Sequence, residues 1–280
     1  MPEGDTIFRA ARGLHKALAG ATVTGFETAY AHLASANDNA PVTGRIVENV
    51  EARGKWLLIR FSGDLILVTH MLMSGSWHIY RRGERRKRPR ADMRIVLRTA
   101  EYDAVAFSVP VAQFHTARSL ERNTAIRKLG PDLLKDEFAE DDAKARIRAR
   151  SNEEIGNVLL DQKVMAGIGN VFKSEVCFVC GVHPFRRVSS LSDREIDCLV
   201  DSARRLMGAN VTDTSSDRIV TYIGLRRTTG RSDPSARVWV YRRTGEPCRR
   251  CGTVIEMRRQ GAGARSSYWC PNCQPMSASA

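Results

Sequence analysis

The sequence predicts an α+β protein of two domains, and three observations point to it. An apolar stripe of helical period at the N-terminus leads into a long run of short β-type segments. The second half of the chain changes to helical periodicity. The chain then closes on two Cys-x-x-Cys pairs. At 280 residues the length suits two domains, each with a core of its own.

The first element is a helix, because Ile7, Ala11, Leu14 and Leu18 recur on one helical face. Across residues 22–108 the pattern becomes short and β-rich. Trp56-Leu57-Leu58-Ile59-Arg60-Phe61 and Leu65-Ile66-Leu67-Val68-Thr69 flank Ser62-Gly63-Asp64, which reads as a hairpin. Residues 93–98 and 103–108 read as a second pair. Several short strands joined by Gly and Asp turns predict a sandwich or small barrel. Residues 81–90 hold seven Lys or Arg and one carboxylate, Glu84, between two strands. They read as an exposed loop, either solvated or touching phosphates.

Beyond Leu129-Gly130-Pro131 the periodicity is helical. Residues 152–163 and 171–179 are helix candidates separated by Ala166-Gly167-Ile168-Gly169-Asn170, a turn whose glycines permit positive φ. Ser192 and Glu195 form a capping box ahead of Ile196, Leu199, Val200, Ala203 and Leu206. The boundary between the halves falls within residues 119–131. No internal repeat is present.

Charge limits the partners. The chain has 44 Lys+Arg against 31 Asp+Glu, a net charge of +13, and attracts polyanions. That field argues for nucleic acid ahead of acidic metabolites, without specifying a sequence. No apolar run reaches the roughly 18 residues of a membrane span. The N-terminus lacks a basic-then-apolar leader, so the expected compartment is the cytoplasm.

Of seven cysteines, Cys248 and Cys251 are separated by eighteen residues from Cys270 and Cys273. Two such pairs of soft thiolates match a closed tetrahedral zinc site. With four sulfur ligands no position is left for water, so the expected role is structural, one Zn²⁺ per chain. Cys177, Cys180 and Cys198 read as reduced thiols, with Cys177 and Cys180 in an apolar helical run. Between the metal pairs, Arg258, Arg259 and Arg265 suit phosphate contact.

The chain opens Met1-Pro2-Glu3-Gly4. A small residue after Met1 invites removal of the initiator, leaving Pro2 as a secondary amine. An α-amino group titrates near pH 8, so a share of it is uncharged and nucleophilic at neutral pH. Glu3, next along the chain, can serve it as acid or base.

Taken in order, these blocks identify a resemblance. Met1-Pro2-Glu3-Gly4, Arg53-Gly54-Lys55-Trp56-Leu57-Leu58, His70-Met71-Leu72-Met73-Ser74-Gly75-Ser76 and Leu129-Gly130-Pro131-Asp132 begin the series. Leu160-Asp161-Gln162-Lys163, Gly167-Ile168-Gly169-Asn170, Ser174-Glu175, Gly181-Val182-His183-Pro184, Val240-Tyr241 and Gly245-Glu246-Pro247-Cys248 complete it, with the final cysteine pairs. Over nearly its whole length the sequence resembles the formamidopyrimidine-DNA glycosylase and endonuclease VIII family of bifunctional base-excision repair enzymes. The resemblance implies an N-terminal catalytic β-sandwich with a leading helix (residues 1–120) and a linker (121–132). A helix-two-turns-helix DNA-binding domain (133–236), a zinc finger (237–274) and a disordered tail (275–280) follow.

It also implies roles. Pro2 resembles the nucleophile that displaces the damaged base and forms an iminium with the sugar, from which β- and δ-elimination cut the strand. Glu3 resembles the acid/base for ring opening, and Lys55 the catalytic lysine near the lesion phosphate. Asn170 and Arg265 resemble the phosphate-gripping residues, with Arg265 counted at the catalytic site; Lys163 and Arg259 are further DNA-binding candidates. The nucleotide must be extruded to be reached, and Met73 matches a position that fills the gap.

Many members carry a proline and then a glutamate where this chain has Asp5 and Thr6. That start resembles an endonuclease VIII-like branch acting on oxidised pyrimidines. Met73-Ser74-Gly75-Ser76 resembles the formamidopyrimidine branch instead. The expectation is a monomeric glycosylase and AP lyase acting on double-stranded DNA that contains damaged bases or abasic sites. It would be cytoplasmic and associated with the nucleoid through DNA. An 8-oxoguanine and formamidopyrimidine glycosylase is the alternative enzyme. A non-catalytic zinc-ribbon protein that binds damaged DNA is the alternative binder.

Overall fold

The helix at the N-terminus, α1 (Gly4–Leu18), buries Ile7, Ala11, Leu14 and Leu18, the stripe read from the sequence. It leads a computed structural model that describes residues 2–211, 228–229 and 237–276. The described residues form two compact units that meet in sequence between Lys128 and Leu129.

The first unit is a sandwich of two four-stranded antiparallel sheets. β1 (Gly25–Thr28), β6 (Met93–Arg98), β7 (Tyr102–Phe107) and β5 (Ser76–Arg81) lie in that order in one sheet. β2 (Val47–Arg53), β3 (Trp56–Phe61), β4 (Leu65–His70) and β8 (Val111–His115) form the other. Both expected strand pairs are present: β3 on β4 through Asp64, and β6 on β7. Leu57, Ile59, Phe61 and Leu67 face Trp77, Ile79, Ile95 and Leu97 across the core. The Trp77 indole spans it, donating to Thr69 Oγ1 at 3.1 Å. One helix interrupts the β-rich stretch, α2 (Ala31–Asn39), which buries only Leu33. With one apolar anchor it has no stripe for periodicity to find. α3 (Ala117–Arg122) and α4 (Thr124–Arg127) close the unit, capped by Thr116 and Asn123.

The second unit is helical. It contains α5 (Glu140–Arg148), α6 (Ile155–Leu160), α7 (Asn170–Val179) and α8 (Asp193–Val211). Its hairpin consists of β9 (Glu256–Gln260) and β10 (Arg265–Trp269). The capping box forms as expected: Ser192 N donates to Glu195 Oε2 at 2.8 Å, and Glu195 N to Ser192 Oγ at 3.3 Å. The helix expected over 152–163 is shorter, because Gln162 builds a turn there. Its amide donates to the carbonyls of Leu160 (2.9 Å) and Ile168 (3.0 Å) and accepts from Gly167 N (3.0 Å). Gly167 holds φ at 111°, where a side chain would be strained. Gly130 lies so close to this turn that a Cβ would fall 2.4 Å from the Val164 carbonyl oxygen.

One expectation is corrected. Cys180, at the end of α7, and Cys198, on α8, are joined as a disulfide with Cα atoms 5.8 Å apart. They are not reduced thiols, because packing α7 against α8 brings together cysteines from two helices. Cys177 is a buried thiol, and burial pushes it up to about 12. The tail residues 277–280, and most of 212–236, lie outside the described residues.

Candidate active site and zinc ribbon

The first group of functional side chains sits at one end of the sandwich. Val47 exchanges backbone hydrogen bonds with Gly20 and Ala21, and Val50 N donates to His15 Nδ1 at 3.3 Å. α1 therefore runs antiparallel to β2. From His15 back to Glu3 the helix covers about 18 Å at 1.5 Å per residue. From Val50 forward to Lys55 the strand covers about 16 Å at 3.3 Å per residue. Pro2, Glu3 and Lys55 consequently lie at the same end. Register puts His70 opposite Trp56, so the turn 71–75 leaves the sheet there too.

At this end Pro2 is half-buried and Glu3 fully buried as the N-cap of α1, with no side-chain capping bond. Asp5 and Thr6 are buried in the first turn. Thr6 Oγ1 donates to Asp5 Oδ1 at 3.4 Å, and Arg9 stands 3.7 Å from Asp5 one turn on. Lys55 occupies the two-residue turn between β2 and β3, where Gly54 has φ 57°. A two-residue hairpin needs such a backbone, which makes Gly54 the local reason Lys55 projects from the sheet. His70 accepts from Leu72 N at 3.1 Å and meets the Trp56 ring edge-on. Burial first, and the Lys55 charge second, lower it to about 4. Met71 is buried, but Met73 is 60% exposed and Leu72 47% exposed. A core role for Met73 is thereby excluded, and an apolar tip stands out at the turn.

The second group lies in the other unit. Asn170 begins α7 and donates to the Ser266 carbonyl on β10 at 2.7 Å; its Oδ1 is buried with no hydrogen-bond partner. Lys173, fully buried, donates to the Ser266 carbonyl (3.2 Å) and Ser267 Oγ (2.6 Å). Ser267 Oγ donates to Gln260 Oε1 at 2.6 Å, and the Gln260 amide reaches Glu154 and the Pro184 carbonyl, each at 2.8 Å. Glu175, also fully buried, accepts from the backbone N–H groups of Trp239 (2.7 Å), Val240 (2.9 Å) and Tyr241 (2.9 Å), and from the Thr228 hydroxyl. Burial raises its carboxyl. Among the described residues this network fixes the hairpin on α7. In the sequence Ser174-Glu175 stands out only as a motif, and neither the role of Glu175 nor that of Lys173 or Gln260 is visible there. The signal available was charged residues inside an apolar helical run.

Arg265 is exposed at the tip of the hairpin, opposite Gln260. Arg259, also exposed, bonds the Ala264 carbonyl at 3.0 Å and braces the tip. Arg258 instead lies over the Phe185 ring, 3.8 Å from its centroid. Lys163 is exposed beside the Gln162 turn, its backbone N–H held by Asp161 at 2.9 Å.

The four sulfurs of Cys248, Cys251, Cys270 and Cys273 lie within 4.8 Å of one another. Four thiolates at about 2.3 Å from one Zn²⁺ have this spacing. The N–H groups of Arg250 and Cys273 point at Cys248 Sγ (3.4 Å) and Cys270 Sγ (3.5 Å), completing two knuckles. The donor set fits a structural zinc.

Comparison with known proteins agrees with this architecture. Residues 1–112 match the formamidopyrimidine-DNA glycosylase N-terminal domain, and 129–220 the formamidopyrimidine-DNA glycosylase H2TH domain. Residues 245–275 match the zinc finger found in FPG and IleRS. A probable endonuclease 8 2 of Streptomyces coelicolor is 40% identical over 98% of this chain and 94% of that protein. A DNA-(apurinic or apyrimidinic site) lyase, Nei2, of Mycolicibacterium smegmatis is 37% identical over 99% of this chain and its whole length. In solved structures, the Lactococcus lactis Fpg in complex with DNA containing an abasic site shares the fold. Its TM-score is 0.79 at 24% identity, covering 98% of this chain and 99% of that one. On domain content and full-length similarity, the chain belongs to the formamidopyrimidine-DNA glycosylase and endonuclease VIII family, as an endonuclease VIII-like member.

Proposed function

We propose that this protein is a base-excision repair glycosylase and AP lyase that removes oxidised pyrimidines from duplex DNA through the nitrogen of mature Pro2. The observation that carries the reading is the junction of Pro2 with a buried Glu3 at the end of the sandwich where Lys55 also projects. The positive end of the α1 dipole disfavours a charged amine there, which keeps the Pro2 nitrogen available as a nucleophile. That nitrogen attacks C1′ of the damaged nucleotide, the bond to the base breaks, and Glu3 supplies the proton that opens the sugar ring. The resulting iminium draws electrons from C2′; loss of a C2′ proton expels the 3′-phosphate, and a second elimination releases the 5′-phosphate. Lys55 presents its ammonium to the phosphate beside the lesion.

Met73, exposed on its turn, fills the space of the extruded nucleotide. Asn170 and Arg265 hold phosphates flanking it, with Lys163 and Arg259 as lesser contacts. The zinc keeps the hairpin folded so that Arg265 is presented. The protein acts as a monomer, in the cytoplasm, wherever DNA is. The pyrimidine preference is supported by full-length relatives named as endonuclease 8 and by the Asp5-Thr6 start.

Borohydride trapping on duplexes with an abasic site, thymine glycol or 8-oxoguanine tests this. The expected result is a covalent adduct, faster with thymine glycol than with 8-oxoguanine, in protein whose mass shows loss of Met1. Pro2→Gly abolishes the adduct and lowers cleavage by at least about a thousandfold. Faster trapping on 8-oxoguanine transfers the specificity to the purine branch. No adduct on any substrate leaves the damaged-DNA binder.

A further inference from the structure

The basic run 81–90 is not used by the chemistry above, and its structure differs from a solvated loop. It leaves the far end of β5 and folds back over the outer face of the β1-β6-β7-β5 sheet. Arg82 N donates to the Glu101 carbonyl at 2.9 Å, and Lys87 N to the Tyr80 hydroxyl at 3.2 Å. Two of its cations are inward anchors. Arg86 pairs with Asp103 at 3.1 Å and touches Met93 Sδ. Arg88 pairs with Asp92 at 3.1 Å, covers the Phe107 ring, and donates to Ser76 Oγ and Ser108 Oγ, each at 3.2 Å. Glu84, the only carboxylate of the run, accepts from Arg81 N at 3.0 Å.

Arg81, Arg82, Arg85, Lys87 and Arg90 remain exposed on this pinned backbone, with no carboxylate partner among the described residues. Like charges so close repel, and a mobile loop would let them spread; here the anchors hold them together. The placement also has a direction. Arg88 meets Ser76 and Ser108, and Ser74 in the turn of Met73 donates to the Ser108 carbonyl at 3.4 Å. The run therefore extends from the Met73 end of the sandwich to the far end of β5. That is about 17 Å for the five residue steps of a strand.

We propose that Arg81, Arg82, Arg85 and Lys87 form a second phosphate-contacting track that binds duplex DNA flanking the lesion, outside the reaction site. The proposal rests on the DNA-repair reading above. Its role is affinity and retention on DNA, since phosphate contacts carry no base information.

The test is a variant with Arg81→Ser, Arg82→Ser, Arg85→Ser and Lys87→Ser together, compared with wild type on a long duplex holding a reduced abasic site. The slope of log affinity against log salt is expected to become shallower by about 2–4, close to 0.9 per lost contact. A companion variant with the three arginines changed to lysine is expected to keep the wild-type slope. Borohydride trapping at saturating enzyme is expected to be unchanged in both, which shows them folded. An unchanged slope in the serine variant overturns the proposal, as does a loss confined to single-stranded RNA. Failure of wild type to form any adduct would instead sink the enzymatic reading.

Discussion

The starts of α1 and α7 are both helix N-termini crowded with buried polar residues, and the second is tied by side chains to distant segments of the chain. In α1, Asp5 meets Thr6 and Arg9 within one turn. In α7, Asn170 and Lys173 reach β10 across 96 and 94 residues, and Glu175 reaches Trp239 across 64. A buried polar group satisfied by distant backbone is a fastener, because removing it orphans several partners at once. A buried carboxylate beside a nucleophile can be exchanged for its amide with little disruption, and what changes is proton transfer.

Exchanging the acid at the first terminus should have the largest consequence. Glu3→Gln is expected to slow base excision by about 10²–10⁴-fold, the range for a lost general acid or base. The thermal midpoint should hardly move. A large fall in midpoint with normal turnover in the surviving fraction would make Glu3 a structural residue, as at α7.

At the second terminus the order of effects reverses. Gln260→Ala removes one hydrogen bond from each of Glu154, the Pro184 carbonyl and Ser267, and should cost about 2–4 kcal/mol in urea unfolding. Trapping at saturating enzyme should persist. Loss of the adduct without loss of stability would erase the distinction between the two termini.

The smallest effect is a titration. His70 in the first unit and His183 in the second are both lowered to about 4, by burial first. The folded state thus resists protonation that the unfolded chain accepts near pH 6.5. Their contribution to stability is complete above that pH and declines as pH falls toward 4. Lys55 is the second cause for His70, whereas Arg258 and Arg186 act on His183. Lys55→Met should raise His70 toward, but not to, its ordinary value and leave His183 unmoved, as followed by proton NMR. No movement of His70 would place Lys55 away from the ring.

Much of this was legible from residue order. The α1 stripe, the β3–β4 hairpin, the Ser192–Glu195 box and the two cysteine knuckles are local patterns, each specified by neighbours within a few turns or a matched pair of motifs. Helix α2 was not legible, since one buried leucine makes no period. The Cys180–Cys198 bond was misread, because spacing alone cannot tell which helices will face each other. Likewise the roles of Lys173, Glu175 and Gln260 depend on the hairpin lying on α7, which no local pattern specifies.

By itself, then, the sequence determined the elements, the metal ligands and the chemical types available at the N-terminus, because periodicity, motif spacing and residue chemistry are properties of short segments. Only the tertiary structure decided that α1 and β2 run antiparallel, so that Glu3 and Lys55 share one end, and that Met73 stands exposed. It alone decided which cations of the basic run are anchors and which remain outward. These outcomes depend on which surfaces are buried against each other, a sum over distant contacts that no local pattern encodes.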